Sequence, residues 1–119
     1  MSVKKKILVI EDNKEVCDLI EMILSEKYDV CPKTEITSVL NDFDVSIFDL
    51  IVTDFLMGGD SAETVVARYP NKTYLIVTAL STQNSQLNKL VKLPNVSYLQ
   101  KPFEIHELIE TVDSLVKST

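Results

Sequence analysis

Five residues able to do chemistry each stand at or just past the end of a short, largely apolar run. Glu11 and Asp12 follow Ile7-Leu8-Val9-Ile10, and Asp54 follows Leu50-Ile51-Val52-Thr53. Thr78 follows Tyr74-Leu75-Ile76-Val77, and Lys101 comes one residue after the run Val96 to Leu99. Carboxylates gathered at close range repel one another, which raises at least one pKa unless a cation offsets them. An oxygen-only set of two or three carboxylates suits Mg²⁺, a hard octahedral ion. A lysine and a hydroxyl make sense beside such an ion when the site also receives an anion. Lys101 would pair with that anion and Thr78 would donate a hydrogen bond to it. A phosphoryl group held between a divalent cation, an ammonium and a hydroxyl satisfies both conditions. One of the carboxylates is then the nucleophile that accepts it.

That chemistry requires the run ends to meet, and the hydropathy pattern supplies a way. Runs at 7–10, 28–31, 50–53, 74–77 and 96–99 read as strands, several of them apolar throughout, as strands buried on both faces are. Amphipathic stretches at 14–26, 35–43, 60–69, 82–92 and 103–117 read as helices between them. In the first helix Val16, Leu19, Ile20, Ile23 and Leu24 keep helical spacing, and Asp12 or Asn13 can cap it. In the last, Ile105, Leu108, Ile109, Val112, Leu115 and Val116 form one stripe. Pro32 is expected to stop the second strand, and Pro70 to follow the third helix. The only glycines, Gly58 and Gly59, are adjacent and mark one point where the backbone needs positive φ or close approach. Strand–helix alternation predicts an α/β fold with a parallel sheet between helix layers. A flavodoxin-like (βα)5 three-layer sandwich with strand order 2-1-3-4-5 is the arrangement that follows. It places Glu11, Asp12, Asp54, Thr78 and Lys101 at one sheet edge, where such folds bind ligands.

Composition narrows the function classes. The chain has 119 residues, 18 acidic and 12 basic, a net charge of −6 that disfavours nucleic acid as the main ligand. Its longest apolar runs are four residues, far short of the roughly 18 a membrane span needs. Met1-Ser2-Val3 and the lysines after it lead into no apolar stretch of signal-peptide length, so a cytoplasmic location is expected. Cys17 and Cys31 match no metal spacing or disulfide framework and read as buried packing residues; His106 reads as a solvated residue.

Taken as a set, these segments resemble the receiver domain of the bacterial two-component response-regulator family. The resemblance is carried by Ile7 to Asn13, by Leu50 to Met57, by Val77-Thr78-Ala79, and by Tyr98-Leu99-Gln100-Lys101-Pro102-Phe103. It covers essentially the whole chain, so one domain over 1–119 is expected. The resemblance implies that Asp54 is the phosphoacceptor for a sensor histidine kinase or a histidine phosphotransfer protein. It implies that Glu11, Asp12, Asp54 and the backbone carbonyl of Leu56 hold Mg²⁺. Lys101 would contact the phosphoryl oxygens across a cis Lys101-Pro102 bond, Thr78 would move toward the phosphoryl group, and Tyr98 would change rotamer with it. The weakly patterned 82–92 helix is expected to move in step with Thr78 and Tyr98. The output surface would be the fourth helix, fifth strand and fifth helix, which also suits a homodimer, and the downstream partner is a protein not named by the sequence.

The chain departs from the family pattern at Met57-Gly58-Gly59-Asp60-Ser61, where glycine replaces the usual proline, and at Pro94-Asn95, where the family usually has Gly-Ala. The altered loop motivates a second reading, a receiver-like interaction module that works without phosphorylation. A third, a Mg²⁺ phosphohydrolase with an aspartyl-phosphate intermediate, lacks the second aspartate two residues past Asp54; Leu56 stands there.

Overall fold

The computed structural model describes residues 4–41 and 43–117. In chain order the elements are β1 (Lys6–Ile10), α1 (Lys14–Leu24), β2 (Asp29–Lys33), α2 (Thr37–Leu40), β3 (Leu50–Thr53), β4 (Leu56–Met57), β5 (Asp60–Ser61), α3 (Ala62–Arg68), β6 (Tyr74–Thr78), α4 (Ser85–Val91), β7 (Val96–Gln100) and α5 (Ile105–Lys117). Five strands form one parallel sheet in the order β2-β1-β3-β6-β7. Because β4 and β5 pair only with each other, this is the predicted 2-1-3-4-5 order.

The apolar runs are continuous because both sheet faces are covered. Alternate residues of a strand point to opposite faces. Ile7, Val9, Leu50, Val52, Leu75 and Val77 pack on one side with Ile20 of α1 and Leu108 and Val112 of α5. Leu8, Ile10, Ile51 and Ile76 pack on the other with Val39 of α2, Val65 of α3 and Leu87 of α4. Helix starts are fixed locally. Asn13 caps α1 by accepting from the Val16 N–H at 3.2 Å, and Asn84 caps α4 by accepting from the Leu87 N–H at 3.0 Å. Tyrosine hydroxyls tie the layers together. Tyr69 donates to the Val39 carbonyl at 3.0 Å, joining α3 to α2, and Tyr74 donates to the Tyr69 carbonyl at 2.6 Å. Tyr28 donates to Asp113, which also pairs with Lys27 at 2.9 Å, joining the end of α1 to α5.

The structure corrects several sequence expectations. The second strand runs through Pro32 to Lys33. It is an edge strand whose Asp29 N–H donates to the Lys5 carbonyl; the alternation puts the Pro32 nitrogen on the unpaired side, where no donor is needed. The helix expected over 35–43 is the single turn α2; of that range, residue 42 lies outside the described residues, as do 1–3 and 118–119. Just beyond it Asp44 accepts from both the N–H and the hydroxyl of Ser46, a local arrangement that competes with helix. Leu19 and Ile105, placed on the apolar stripes, are 41% and 57% exposed. Cys17 is buried as expected but Cys31 is only half-buried, and both are free thiols. His106 is exposed, with Nδ1 3.3 Å from Glu104. No helix among the described residues is long and apolar enough to cross a membrane.

The hairpin β4–β5 was not anticipated as such. Met57 pairs with Asp60 across Gly58 and Gly59, whose φ values are +51° and +90°. Two consecutive positive φ values are what a type I′ two-residue turn demands, and only glycine takes them freely. A Cβ on either glycine would meet nothing within 4 Å, so the requirement is conformational rather than steric packing. Gly59→Ala should therefore cost about 1–2 kcal/mol in urea unfolding, and Gly58→Asn less, since asparagine tolerates the left-handed region. An unchanged unfolding midpoint in Gly59→Ala would mean the turn relaxes to another form.

Candidate functional site

The carboxyl edge of the sheet assembles the site from four strand ends. Ile10 and Thr53 are register partners, so Glu11 and Asp54 leave β1 and β3 side by side. The backbone holds them there. The Glu11 N–H donates to the Lys33 carbonyl at 3.0 Å and the Asp54 N–H to the Ile10 carbonyl at 3.1 Å. On the other side, Thr78 ends β6 opposite Gln100 of β7, and the Lys101 N–H donates to the Thr78 carbonyl at 2.8 Å. This last bond, followed by the cis Lys101-Pro102 peptide, fixes where the lysine leaves the sheet.

From that anchor Lys101 reaches across the edge. Its Nζ lies 2.6 Å from Glu11 Oε1 and 3.0 Å from Asp54 Oδ2. The Glu11 side chain is only 3% exposed, that of Asp54 14% and that of Lys101 21%. Glu11, Asp12 and Asp54 each present a carboxylate oxygen, and all three oxygens lie within 4.8 Å of one another. Asp12 is exposed and forms the solvent side of the group. The remaining carboxylate oxygens meet backbone donors: the Asn13 N–H reaches Glu11 Oε2 at 3.2 Å and the Phe55 N–H reaches Asp54 Oδ1 at 2.6 Å.

The electrostatics follow from burial. Desolvation raises the Glu11 pKa above its ordinary value, and nearby Asp54 adds to this; the bonds from Lys101 and Asn13 pull it down without cancelling the effect. Burial by itself would lower the Lys101 pKa, but the hydrogen bonds it donates to Glu11 and Asp54, with the charge of those carboxylates, outweigh it, and the ammonium is held above its ordinary value. The lysine is thus a fixed cation, and the acid group carries more negative charge than it alone offsets.

Of the other three residues expected at the site, Thr78 and Tyr98 bond to a neighbouring loop. Thr78 is buried, and its Oγ1 accepts from the Leu80 N–H at 3.4 Å. Tyr98, half-buried on edge strand β7, donates its hydroxyl to the Leu80 carbonyl. Gln100 donates to the Ala79 carbonyl at 3.3 Å, so side chains of β6 and β7 hold the 79–80 loop at three points. Leu56 sits in β4 with its side chain 55% exposed, two residues beyond Asp54. The support of Asp54 includes groups the sequence did not single out. Thr53 Oγ1 donates to the Asp54 carbonyl at 2.9 Å and lies 3.6 Å from Met57 Sδ, which anchors the hairpin under the acid. The adjacent Gly58-Gly59 was the signal for that hairpin.

All donors in the acid group are oxygens, and one is buried with its charged form penalised. That is a set suited to a hard divalent cation such as Mg²⁺, with solvent-exposed Asp12 leaving room for water ligands.

Residues 7–113 match the family described as the response regulator receiver domain. Over 115 residues the chain is 29% identical to the regulatory protein VanR of Enterococcus faecium, covering 94% of this chain and 50% of that protein. The chain spans about half the length of VanR and of two further curated regulators that it matches. Among solved structures, the receiver domain of the Francisella response regulator 1452 is 28% identical with a TM-score of 0.78, over 96% of this chain and 98% of that one. The non-phosphorylated HemR receiver domain of Leptospira biflexa is 23% identical with a TM-score of 0.82, over 98% and 97% of the two chains, a likeness of fold.

The ion pair yields a prediction with a definite sign. Lys101→Met leaves Glu11 buried without its cation and should destabilise the metal-free protein by about 2–3 kcal/mol near neutral pH. A Glu11 pKa already raised, and raised further in the variant, means that stability returns as pH falls through it and the acid takes up a proton. The destabilisation measured by urea unfolding should therefore be clearly smaller near about pH 5 than near about pH 7. A loss independent of pH would place the effect in packing of the lysine stem.

Proposed function

The chain belongs to the response regulator receiver domain family, and on that premise we propose that it is a phosphorylation-dependent signalling switch with Asp54 as its acceptor. The observation that carries the reading is the half-buried Lys101 ammonium bridging Glu11 and Asp54 beside a third carboxylate, Asp12. The donor is the phosphohistidine of a sensor kinase or of a histidine phosphotransfer protein. An Asp54 carboxylate oxygen attacks phosphorus in line, the new O–P bond forming as the P–N bond breaks and its electron pair returns to the imidazole.

Glu11, Asp12, Asp54 and the Leu56 carbonyl are the groups that would hold Mg²⁺. When bound, the ion supplies positive charge against the negative charge on the phosphoryl oxygens. Lys101 transfers its hydrogen bonds from Glu11 and Asp54 to a phosphoryl oxygen, an exchange between anions already within its reach. Thr78 exchanges its contact with the Leu80 N–H for a hydrogen bond to the phosphoryl group. That shift disturbs the 79–80 loop, and the Tyr98 hydroxyl, which bonds to the same loop, changes rotamer with it. α4 follows that loop directly, buries only Leu87 and Leu90, and is the element most easily moved. The altered face of α4, β7 and α5 then meets a downstream protein or a second copy of the chain. The domain works as one unit in the cytoplasm, and hydrolysis of the acyl phosphate resets it.

Incubation with Mg²⁺ and acetyl phosphate should add one phosphoryl group by intact mass, lost on hydroxylamine treatment and absent in Asp54→Asn. Absence of the adduct from both this donor and a phosphorylated kinase would favour the phosphorylation-independent module. Mg²⁺ at about tenfold above its dissociation constant should raise stability by about 1.4 kcal/mol, seen as a higher melting temperature. Asp54→Asn and Glu11→Gln should each reduce that gain; an equal gain in both variants would place the ion elsewhere.

A further inference from the structure

At the opposite edge of the sheet the chain has a second concavity unrelated to phosphoryl transfer. With α2 cut to one turn, the segment 43–46 and the α3–β6 loop border an open groove of about 410 Å³. That size falls within the range of small-molecule sites, and the lining has their character, mostly apolar with a few polar groups. Phe43, Tyr69 and Pro70 supply the apolar surface, Ser46 and Asn71 the polar groups, and Arg68 a cation.

Two features make this more than a surface irregularity. The α3–β6 loop is pinned: the Asn95 amide donates to the carbonyls of Pro70 at 2.9 Å and Lys72 at 2.7 Å, and the Tyr69 hydroxyl and carbonyl are both bonded. The charge is also unequally matched. Lys72 donates to the Phe48 carbonyl and Asp44 accepts from Ser46, bonds to neutral groups that leave both charges in place, so two cations, Arg68 and Lys72, face one carboxylate in the lining. Arg68 lies with its guanidinium carbon 5.8 Å from the Tyr69 ring centre, and none of the ion pairs among the described residues includes it.

We propose that this groove binds a small planar anion, an aromatic carboxylate whose ring lies against Tyr69 and Pro70 and whose carboxylate pairs with Arg68, the Phe43 ring being already stacked on Phe48 with Lys33 over it. A guanidinium offers the parallel donors a carboxylate takes in bidentate fashion, and a ring face next to it accepts a flat ligand. The reading is independent of phosphorylation, because the groove lies at the amino ends of β3 and β6, away from Asp54.

Benzoate is the probe, followed by amide chemical shifts of the labelled protein, with benzamide as the uncharged counterpart. A ligand of nine heavy atoms is expected to bind in the millimolar range. Saturable benzoate shifts centred on 43–46 and 68–72, at least about tenfold weaker for benzamide and for Arg68→Gln, support the site. Arg68 is exposed, so the substitution leaves the fold intact, and the unperturbed spectrum checks this. Shifts that persist unchanged in Arg68→Gln overturn the proposal, as does the absence of saturable shifts. Shifts centred on Lys101 would show that the anion goes to the acidic edge instead, and would overturn it equally.

Discussion

A half-buried ammonium between two carboxylates is the contact on which the rest of the site depends. In a parallel sheet every strand delivers its carboxyl end to the same edge, so acids that follow neighbouring strands have nowhere else to go. Glu11 and Asp54 are adjacent because Ile10 and Thr53 are register partners. Their repulsion is a consequence of the topology, and so is its remedy. Lys101 can reach them because β7 lies on the same side of the sheet beyond β6, with its backbone bonded to Thr78. One ammonium stands against three carboxylates, and burial holds the Glu11 pKa above its ordinary value despite the bond from Lys101, so the acid group is one ready for further positive charge.

The two ends of the molecule divide labour accordingly. The amino edge is braced by side chain to backbone bonds from Asn95, Lys72 and Tyr69, and by Lys6, whose ammonium pairs with Asp29 at 3.1 Å and whose N–H donates to the Asp49 carboxylate at 2.9 Å. The carboxyl edge relies on ionic contacts and on a loop held by Thr78, Tyr98 and Gln100. The amino-edge bonds lie at the far end of the strands from Asp54, whereas the contacts of Lys101 with carboxylates change with each charge added beside them. The sheet between them, apolar on both faces, is the rigid part against which one end can rearrange.

Much of this was legible in the residues. Runs such as Ile7 to Ile10 were readable as strands because a strand covered on both faces has no polar alternation to dilute the signal. The site residues were readable because each lies where a run ends, and the ends converge by topology. What escaped depended on partners distant in sequence or on fine backbone geometry. Pro32 read as a strand stop, but an edge strand leaves its nitrogen side unpaired. The spacing around Val39 suggested a longer helix than the local bonds of Asp44 permit. Gly58 and Gly59 were recognised as a positive-φ point, yet the hairpin needs the pairing of Met57 with Asp60, which no periodicity of two residues can reveal. Ile105 fits the stripe of α5 by spacing, but it lies in the first turn and is 57% exposed.

The tyrosine contacts have an optical consequence. The chain contains no tryptophan and four tyrosines, so its intrinsic fluorescence comes from phenol rings alone. Tyr28, Tyr69 and Tyr74 have hydroxyls bonded within the scaffold, two to backbone carbonyls and one to Asp113. Tyr98 alone is bonded to the loop next to the acid group. Three emitters are therefore a constant background and the fourth reports the position of that loop, which gives the protein a label-free spectroscopic signal for the state of its carboxyl edge.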